Sequence, residues 1–339
     1  MGQKSADLLK IRYGPGEWAG ALGDLGTFIP LFLSLVALNA LPPGRSLILA
    51  GVTYICSSLF FRIPIPVQPL KAFAAIAIAE GLGMPYLIAG SLWMGLTLLV
   101  LVVTGRVEWL QKYFTRPIVK GIQLGVALML IKKGFDLVIS NTLPVLPGAA
   151  AGSIVYPGVS EFIASFWILL IPQIPLTLGN AVFAVSDVAH DYFGDRARRA
   201  TPKNLSVSIA ISNIVTGVVG GLPVCHGSGG LTAHYRFGSR SGGATIIIGA
   251  VFLLIGLTFS QTGTFLFGSI PSWVLGLMLL YVGVCHALLI RGLEEKRVLA
   301  CVMGLIGLLT GNLAYSLALG LVVENAGPVI DRILPGRST

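Results

Sequence analysis

Charge is scarce in this chain. Of its 339 residues, 11% are Asp, Glu, Lys or Arg, under half the roughly 25% of an ordinary soluble domain. That excludes a water-soluble globular fold. Cysteine is rare as well: Cys56, Cys225, Cys285 and Cys301 are the full set. They lie in or beside apolar segments without regular spacing, which reads as reduced, buried thiols rather than a disulfide framework. A phosphate-cradling GxxxxGK[ST] is missing, so nothing within the chain couples it to ATP. There is no low-complexity tract. No cleavable signal is expected either, because the first apolar run is too long and continues as a membrane helix.

What fills the chain instead is apolar: 55% of residues are hydrophobic and mean hydropathy is +0.86. Trp18–Ala40, Met84–Gly105 and Trp273–Ile290 approach or exceed the ~20 residues that span a bilayer core. The 43 glycines suit close helix packing in lipid. A net charge of +9 might point to nucleic acid, but its placement does not. Basic residues gather around Lys4–Arg12, Arg106–Arg116, Arg196–Lys203, Arg236–Arg240, Arg291–Arg297 and Arg332–Arg337, while Ser140–Glu161 and Ser260–Ser272 have none. This alternation is the positive-inside pattern. It predicts both termini and the Arg196–Lys203 cluster in the cytoplasm, and the two uncharged stretches outside.

About twelve membrane segments follow, near 17–40, 45–61, 63–80, 84–105, 117–138, 165–190, 204–220, 222–237, 244–260, 271–290, 298–312 and 314–332, all in one all-α domain covering 1–339. Arg106–Thr115, with Trp109, Tyr113 and Phe114 among its cations, reads as an interfacial helix. Two segments cannot be helical throughout. IPIPVQPLKAFAA, Ile63–Ala75, carries Pro64, Pro66 and Pro69, each of which removes an N–H donor and restricts the preceding residue. GLPVCHGSGG, Gly221–Gly230, holds four glycines. Each lies one span beyond a proline-bearing helix, GDLGTFIPLF (Gly23–Phe32) and PQIPLTLGNAV (Pro172–Val182). Ile65–Gln68 aligns with Leu222–Cys225, and the two segments enter from opposite sides. Paired broken segments of opposite sense are the mark of an inverted-repeat transporter, with repeats near 15–138 and 160–332. Irregular backbone at membrane depth is tolerated where protein buries it or it lines a cavity. Each half-helix N-terminus carries about half a positive charge, so two meeting at the midplane suit an anion.

GDLGTFIPL, PVQPLKA, PQIPLTL and above all GLPVCHGSGGLTAHYRFGSR (Gly221–Arg240) resemble the molybdate transporter family first described in plants and algae, a branch of the sulfate permease superfamily. The likeness runs from Gly16 to about Leu257. It implies a sulfate-permease-like fold of core and gate domains, substrate held between the two half-helices, and a homodimer. Two departures stand out: the carboxy-terminal regulatory domain of sulfate permeases is missing, and a single span lies between Thr115 and Phe162 where three are expected.

Candidate binding residues follow from chemistry. Gln68 offers two amide donors at the first half-helix, and Lys71 offers a charge there, although a lysine stem also snorkels. At the second, Ser228 is expected as an N-cap. Gly229 and Gly230 are expected to let backbone approach the ligand, so that a side chain at Gly229 would crowd the site. His226 and Cys225 are placed beside it, with His226 as a donor, and His190 and His234 are read as interfacial. Gln173, Thr177 and Asn180 form one polar stripe on a helix, and Thr27 with Ser34 does so on the first span; inter-helix glue would use the same residues. Asp24, an intramembrane carboxylate flanked by Gly23 and Gly26, is assigned to proton coupling. Asp187 is read as structural. Cys225–His226 and Cys285–His286 are not expected to bind metal, since adjacent helical residues diverge. No cofactor is expected.

The expected function is import of molybdate across the cytoplasmic (inner) membrane, driven by a proton or other ion gradient. Sulfate or tungstate is the alternative substrate. An oxyanion channel would share the half-helix dipoles without needing Asp24. An enzyme is disfavoured, because nothing orients Asp24, Cys225 and His226 on one another.

Overall fold

The computed structural model describes residues 10–140, 154–258 and 270–333, with side chains described through Glu324. Most of the external stretches expected at Ser140–Glu161 and Ser260–Ser272 lie outside these residues. In the first half, the helices are α1 (Pro15–Ala21), α2 (Leu25–Asn39), α3 (Pro43–Phe61), α4 (Lys71–Glu80), α5 (Met84–Val103), α6 (Val107–Gln111) and α7 (Arg116–Ser140). In the second, α8 is one helical run, Val159–Ala197. It is followed by α9 (Pro202–Val219), α10 (Ser228–Arg236), α11 (Gly243–Thr258), α12 (Ser272–Leu288), α13 (Arg297–Thr310) and α14 (Leu313–Ile333). The expected segments fall on these helices, but 17–40 holds two, α1 and α2, and 63–80 and 222–237 are helical only from Lys71 and Ser228. The runs Pro15–Asn39, Pro43–Phe61, Met84–Val103, Val159–Ala197 and Ser272–Gly292 are long and apolar enough to cross a bilayer.

The two halves interlock rather than sit side by side. α3 packs on α11 and α5 on α9, while α7 packs on α12. In chain order α3 corresponds to α9 and α5 to α11, so the first two pairings are each other's image, as a two-fold relation between inverted repeats requires. Glycine makes these contacts possible. A Cβ at Gly51 would lie 2.6 Å from the Gly249 carbonyl oxygen, and one at Gly134 would lie 2.7 Å from that of Gly276. The helices therefore touch backbone to backbone.

Near the two-fold, short strands replace helix. β1 (Gln68–Pro69) pairs antiparallel with β2 (Val224–Cys225), Gln68 opposite Cys225 and Pro69 opposite Val224. This pairing supplies backbone partners that the broken helices cannot supply themselves. Two sequence expectations change in detail. The first span is not one helix: it breaks at Leu22–Asp24, between α1 and α2. Of the glycines flanking Asp24, Gly23 abuts the backbone of Ala233 and His234, whereas Gly26 faces open space. Beside the short α6, Lys112 Nζ lies 5.0 Å from the Trp109 ring centroid and 4.9 Å from that of Tyr113.

Candidate anion site at the half-helix crossing

The site grows from the β1–β2 crossing. Three residues past Gln68, α4 begins at Lys71; three past Cys225, α10 begins at Ser228. Both helices thus present their first N–H groups beside the crossing, where intrahelical partners are absent. The N-cap of α10 is Gly227, in extended conformation. Ser228 is not the N-cap that its hydroxyl suggested. It is the first helical residue, and its Oγ donates to Asn180 Oδ1 at 2.8 Å.

α4 is held at both ends by distant amides. Gln173 Oε1 accepts from the Phe73 backbone N–H at 3.0 Å. At the other end Asn39 Nδ2 donates to the carbonyls of Ala77 (2.6 Å) and Leu82 (2.9 Å). Unpaired backbone groups are costly in an apolar setting, and each amide removes one such cost. Gln173 and Asn180 lie seven residues apart on α8, so one helix reaches both half-helix N-termini. That stretch contains Pro172 and Pro175 and π-helical turns at Phe166–Leu170 and Thr177–Phe183. Such turns recur where a helix must aim side chains at a site. Thr177 takes a 3.1 Å bond from Gln173 Nε2 and orients that amide.

Asp24 is buried at the α1–α2 break. Its Oδ2 accepts from the Tyr54 hydroxyl at 3.1 Å, and its Oδ1 accepts from Gln68 Nε2. The Gln68 side-chain oxygen, Oε1, is buried without a partner among the described residues. Glycine sets how closely α10 approaches this cluster. A Cβ at Gly227 would meet Gln68 Oε1 at 2.3 Å, and one at Gly230 would meet Gln68 Nε2 at 2.5 Å and Asp24 Oδ1 at 2.6 Å. Gly229 is different: it is exposed, and its Cβ direction is open. The steric constraint expected at Gly229 therefore belongs to its neighbours. Lys71 is half-buried and has no ion pair among the described residues, although its charge acts on both Asp24 and Cys225.

Other expected site residues face elsewhere. Both nitrogens of His226 are occupied, Nδ1 by the Pro66 carbonyl at 2.8 Å and Nε2 by Ser208 Oγ at 3.0 Å. It is a strut under the first broken segment, with no N–H left for an anion. Cys225 Sγ lies on the Pro69 carbonyl at 3.7 Å, inside the strand pair. Thr27 is half-buried one turn along from Asp24, and its hydroxyl has no partner among the described residues. His234 is not interfacial: it is fully buried, with Nδ1 on the Gly20 carbonyl at 2.7 Å. His190 is exposed, its Nδ1 on the Ser186 carbonyl at 2.8 Å.

Three supporting residues escaped the sequence reading. Tyr54 was passed over as an aromatic in an apolar run. Asn213 on α9 satisfies β2, with Nδ2 on the Val224 carbonyl at 2.6 Å and Oδ1 accepting from its N–H at 3.2 Å. Glu17 is a buried carboxylate that accepts from Ser239 Oγ, Arg240 N, Ser241 Oγ and Ala244 N at 2.6–3.0 Å. A glutamate inside an apolar run was the available signal for it. These bonds explain the serines of the FGSRSGG loop, which tie α1 to the start of α11.

The family profile described as "Molybdate transporter of MFS superfamily" matches residues 16–130 and 165–285. The chain belongs to the molybdate transporter family. Molybdate transporter 2 of Arabidopsis thaliana is 28% identical over 372 residues, covering 83% of this chain and 80% of that protein. Molybdate transporter 1 of the same plant is 27% identical, covering 95% and 91%, and Molybdate transporter 1 of Chlamydomonas reinhardtii is 24% identical, covering 83% and 85%. Among solved structures, the transmembrane domain of the cyanobacterial bicarbonate transporter BicA superposes with a TM-score of 0.63 at 14% identity, over 92% of this chain and 97% of that one. Murine Slc26a9, an anion transporter in the inward-facing state, gives 0.58 at 14% identity, over 95% and 69%. The fold of this molybdate transporter family member is thus that of the sulfate permease and solute carrier 26 proteins.

Proposed function

We propose that this protein is a secondary carrier that imports molybdate across a cytoplasmic membrane, both termini inside, with proton movement through Asp24 as the coupling step. The observation that carries the reading is Lys71, without an ion pair among the described residues, at the start of one half-helix and beside the N-terminus of another. Two half-helix termini supply about half a positive charge each and lysine a full one, a total near +2 opposite a tetrahedral dianion. Asp24, ionised, subtracts one charge from that total. Protonated, it restores it. By linkage, a proton on Asp24 and a dianion in the site each favour the other, which is the requirement for proton-coupled uptake.

Direct contact is assigned to Lys71, Ser228, Gly229 and the N–H groups that begin α4 and α10, with Asn180 and Thr27 at the margin. Gln68 joins them when Asp24 is protonated. Its amide is then free to turn, because the carboxylate no longer demands its N–H. Gln173, Thr177, Cys225, His226 and Gly230 position these groups. The repeats are assigned to about 15–138 and 160–332 and the assembly to a homodimer.

The test is uptake of molybdate by purified protein in liposomes with an imposed pH gradient. Molybdate should compete at lower concentration than sulfate, and chloride should not compete. Equal competition by chloride rules out the dianion site, and sulfate competing better transfers the protein to sulfate. Asp24→Asn should retain molybdate binding while losing gradient-driven accumulation and the pH dependence of binding. Normal accumulation in that variant excludes Asp24 as the coupling group.

A further inference from the structure

A groove lies between α3 and α9, on the far side of the His226 strut from the crossing. It encloses about 350 Å3, within the ~300–1,000 Å3 of small-molecule sites. Val52, Cys56 and Phe60 form one wall and Val207, Ile211 and Val215 the other. Of these, Val52, Phe60, Ile211 and Val215 are exposed. The hydroxyls in the groove are largely spent. Thr53 donates to the Leu49 carbonyl (2.8 Å), Ser212 to that of Ser208 (2.8 Å) and Thr216 to that of Asn213 (3.3 Å). Ser208 Oγ is bonded to His226. Ser57 Oγ alone has no partner among the described residues, so an apolar occupant would leave one of the groove's hydroxyls unsatisfied.

One end of the groove is cationic. Arg199 Nη1 donates to the Phe60 carbonyl at 2.7 Å, and its guanidinium lies 5.5 Å from the Phe60 ring centroid. Asn204, in the groove wall, donates to the Arg199 carbonyl at 2.9 Å. Arg62 follows Phe61, and Lys203 precedes Asn204. None of the three cations has a carboxylate within ion-pair distance among the described residues. Beyond the other end, at Leu49 and Thr216, stands one cation, Arg45, a turn before Leu49; its Nη1 would lie 3.3 Å from a Cβ at Gly220, and it already has an interaction of its own. From Leu49 to Phe60 the helix rises about 16 Å, close to the ~15 Å of hydrocarbon in one leaflet. The groove thus has the length of one acyl chain and a charged mouth where the positive-inside pattern sets the cytoplasmic headgroups.

We propose that this groove binds an anionic phospholipid of the cytoplasmic leaflet, one acyl chain lying between α3 and α9 and its phosphate held by Arg199, Arg62 and Lys203. Three cations gathered at one end, against the single, engaged Arg45 beyond the other, on an apolar trough of leaflet depth, match an amphiphile with an anionic head. A second copy of the chain would need an apolar ridge without that polarity. The bound chain would lie over Ser208, and so behind the His226–Pro66 strut that supports the first broken segment.

The test is lipid retention, read without molybdate so that it stands apart from the proposed transport. The full chain would be purified in detergent with equal phosphatidylglycerol and phosphatidylcholine and analysed by native mass spectrometry. Wild type should retain phosphatidylglycerol in preference. Arg199→Gln should bind it about five-fold more weakly, the value of one basic residue at an anionic surface. Ile211→Trp, at an exposed position, should fill the trough and abolish retention. If that variant inserts poorly, Val215→Phe serves the same purpose. Bound phosphatidylglycerol should also slow maleimide labelling of Cys56, measured with Cys285 and Cys301 replaced. Equal retention of the two lipids, or retention unchanged in the trough-filling variants, overturns the proposal. Dissociation of a dimer by Ile211→Trp would reassign the groove to a subunit contact.

Discussion

The two half-helices do the same topological job with opposite chemistry. α4 is entered through prolines, and Ala72 through Ile78 are wholly buried. Its end groups are claimed by amides from α2 and α8. α10 is entered through glycines, and its first turn contains the half-buried Ser228 and the exposed Gly229. One is a fixed wall, the other an accessible face. Proline suits the wall because it has no N–H to leave unpaired. Glycine suits the face because α10 must pass within contact of Gln68 and Asp24 at Gly227 and Gly230. An anion between them would find most of the free backbone donors on α10 and the full charge on α4.

That contrast can be broken most severely at the point of contact. Gly230→Val would drive a branched side chain into Gln68 and Asp24, and molybdate binding by scintillation proximity should vanish. Size-exclusion profiles would separate this from loss of the folded protein. Next comes the charge. Lys71→Met removes the unpaired cation, and losing one partner of a desolvated charge pair costs about 2–5 kcal/mol. Affinity should fall by about 30-fold or more. A change of only a few-fold would mean that Lys71 snorkels away from the anion.

Smaller effects sharpen the comparison. Ser228→Ala deletes a hydroxyl whose proton must turn from Asn180 Oδ1 to reach the anion; a bond to a charged acceptor less the neutral bond given up nets about 1–1.5 kcal/mol, so binding should weaken roughly five- to ten-fold. Gln173→Ala acts on the wall. It leaves the Phe73 N–H unpaired and should lower thermal stability more than it lowers affinity, since an orphaned buried donor costs about 1–3 kcal/mol. The reverse ranking of these two variants would interchange the roles given to wall and face. Gly229→Ala, whose methyl points into open space, should change affinity least, by no more than a few-fold.

Much of this was readable along the chain. Pro64, Pro66 and Pro69 forbid a helix through their segment whatever surrounds it, and the glycines of Gly221–Gly230 mark a close approach. Both are properties of the local backbone. The polar stripe Gln173–Thr177–Asn180 was also legible, because a helix's period places those residues on one face. The roles within the stripe were not. Gln173 caps α4 because the two halves interlock, bringing residues 100 positions apart into contact, and Asn180 holds Ser228 because α8 and α10 pack within the second half, 48 positions apart. His226 looked like a ligand donor until Pro66 and Ser208 were found on both its nitrogens. Nothing in the chain pairs Tyr54 with Asp24, or Glu17 with the Ser239–Ala244 loop, before the helices pack. Sequence by itself determined where the backbone must break and where it has room, since those depend on a missing N–H or a missing Cβ. Which side chain satisfies each exposed donor or acceptor was decided only by tertiary structure. A hydrogen bond needs its partner within about 3 Å, and only the packing of helices, within each half and between the two, sets that distance.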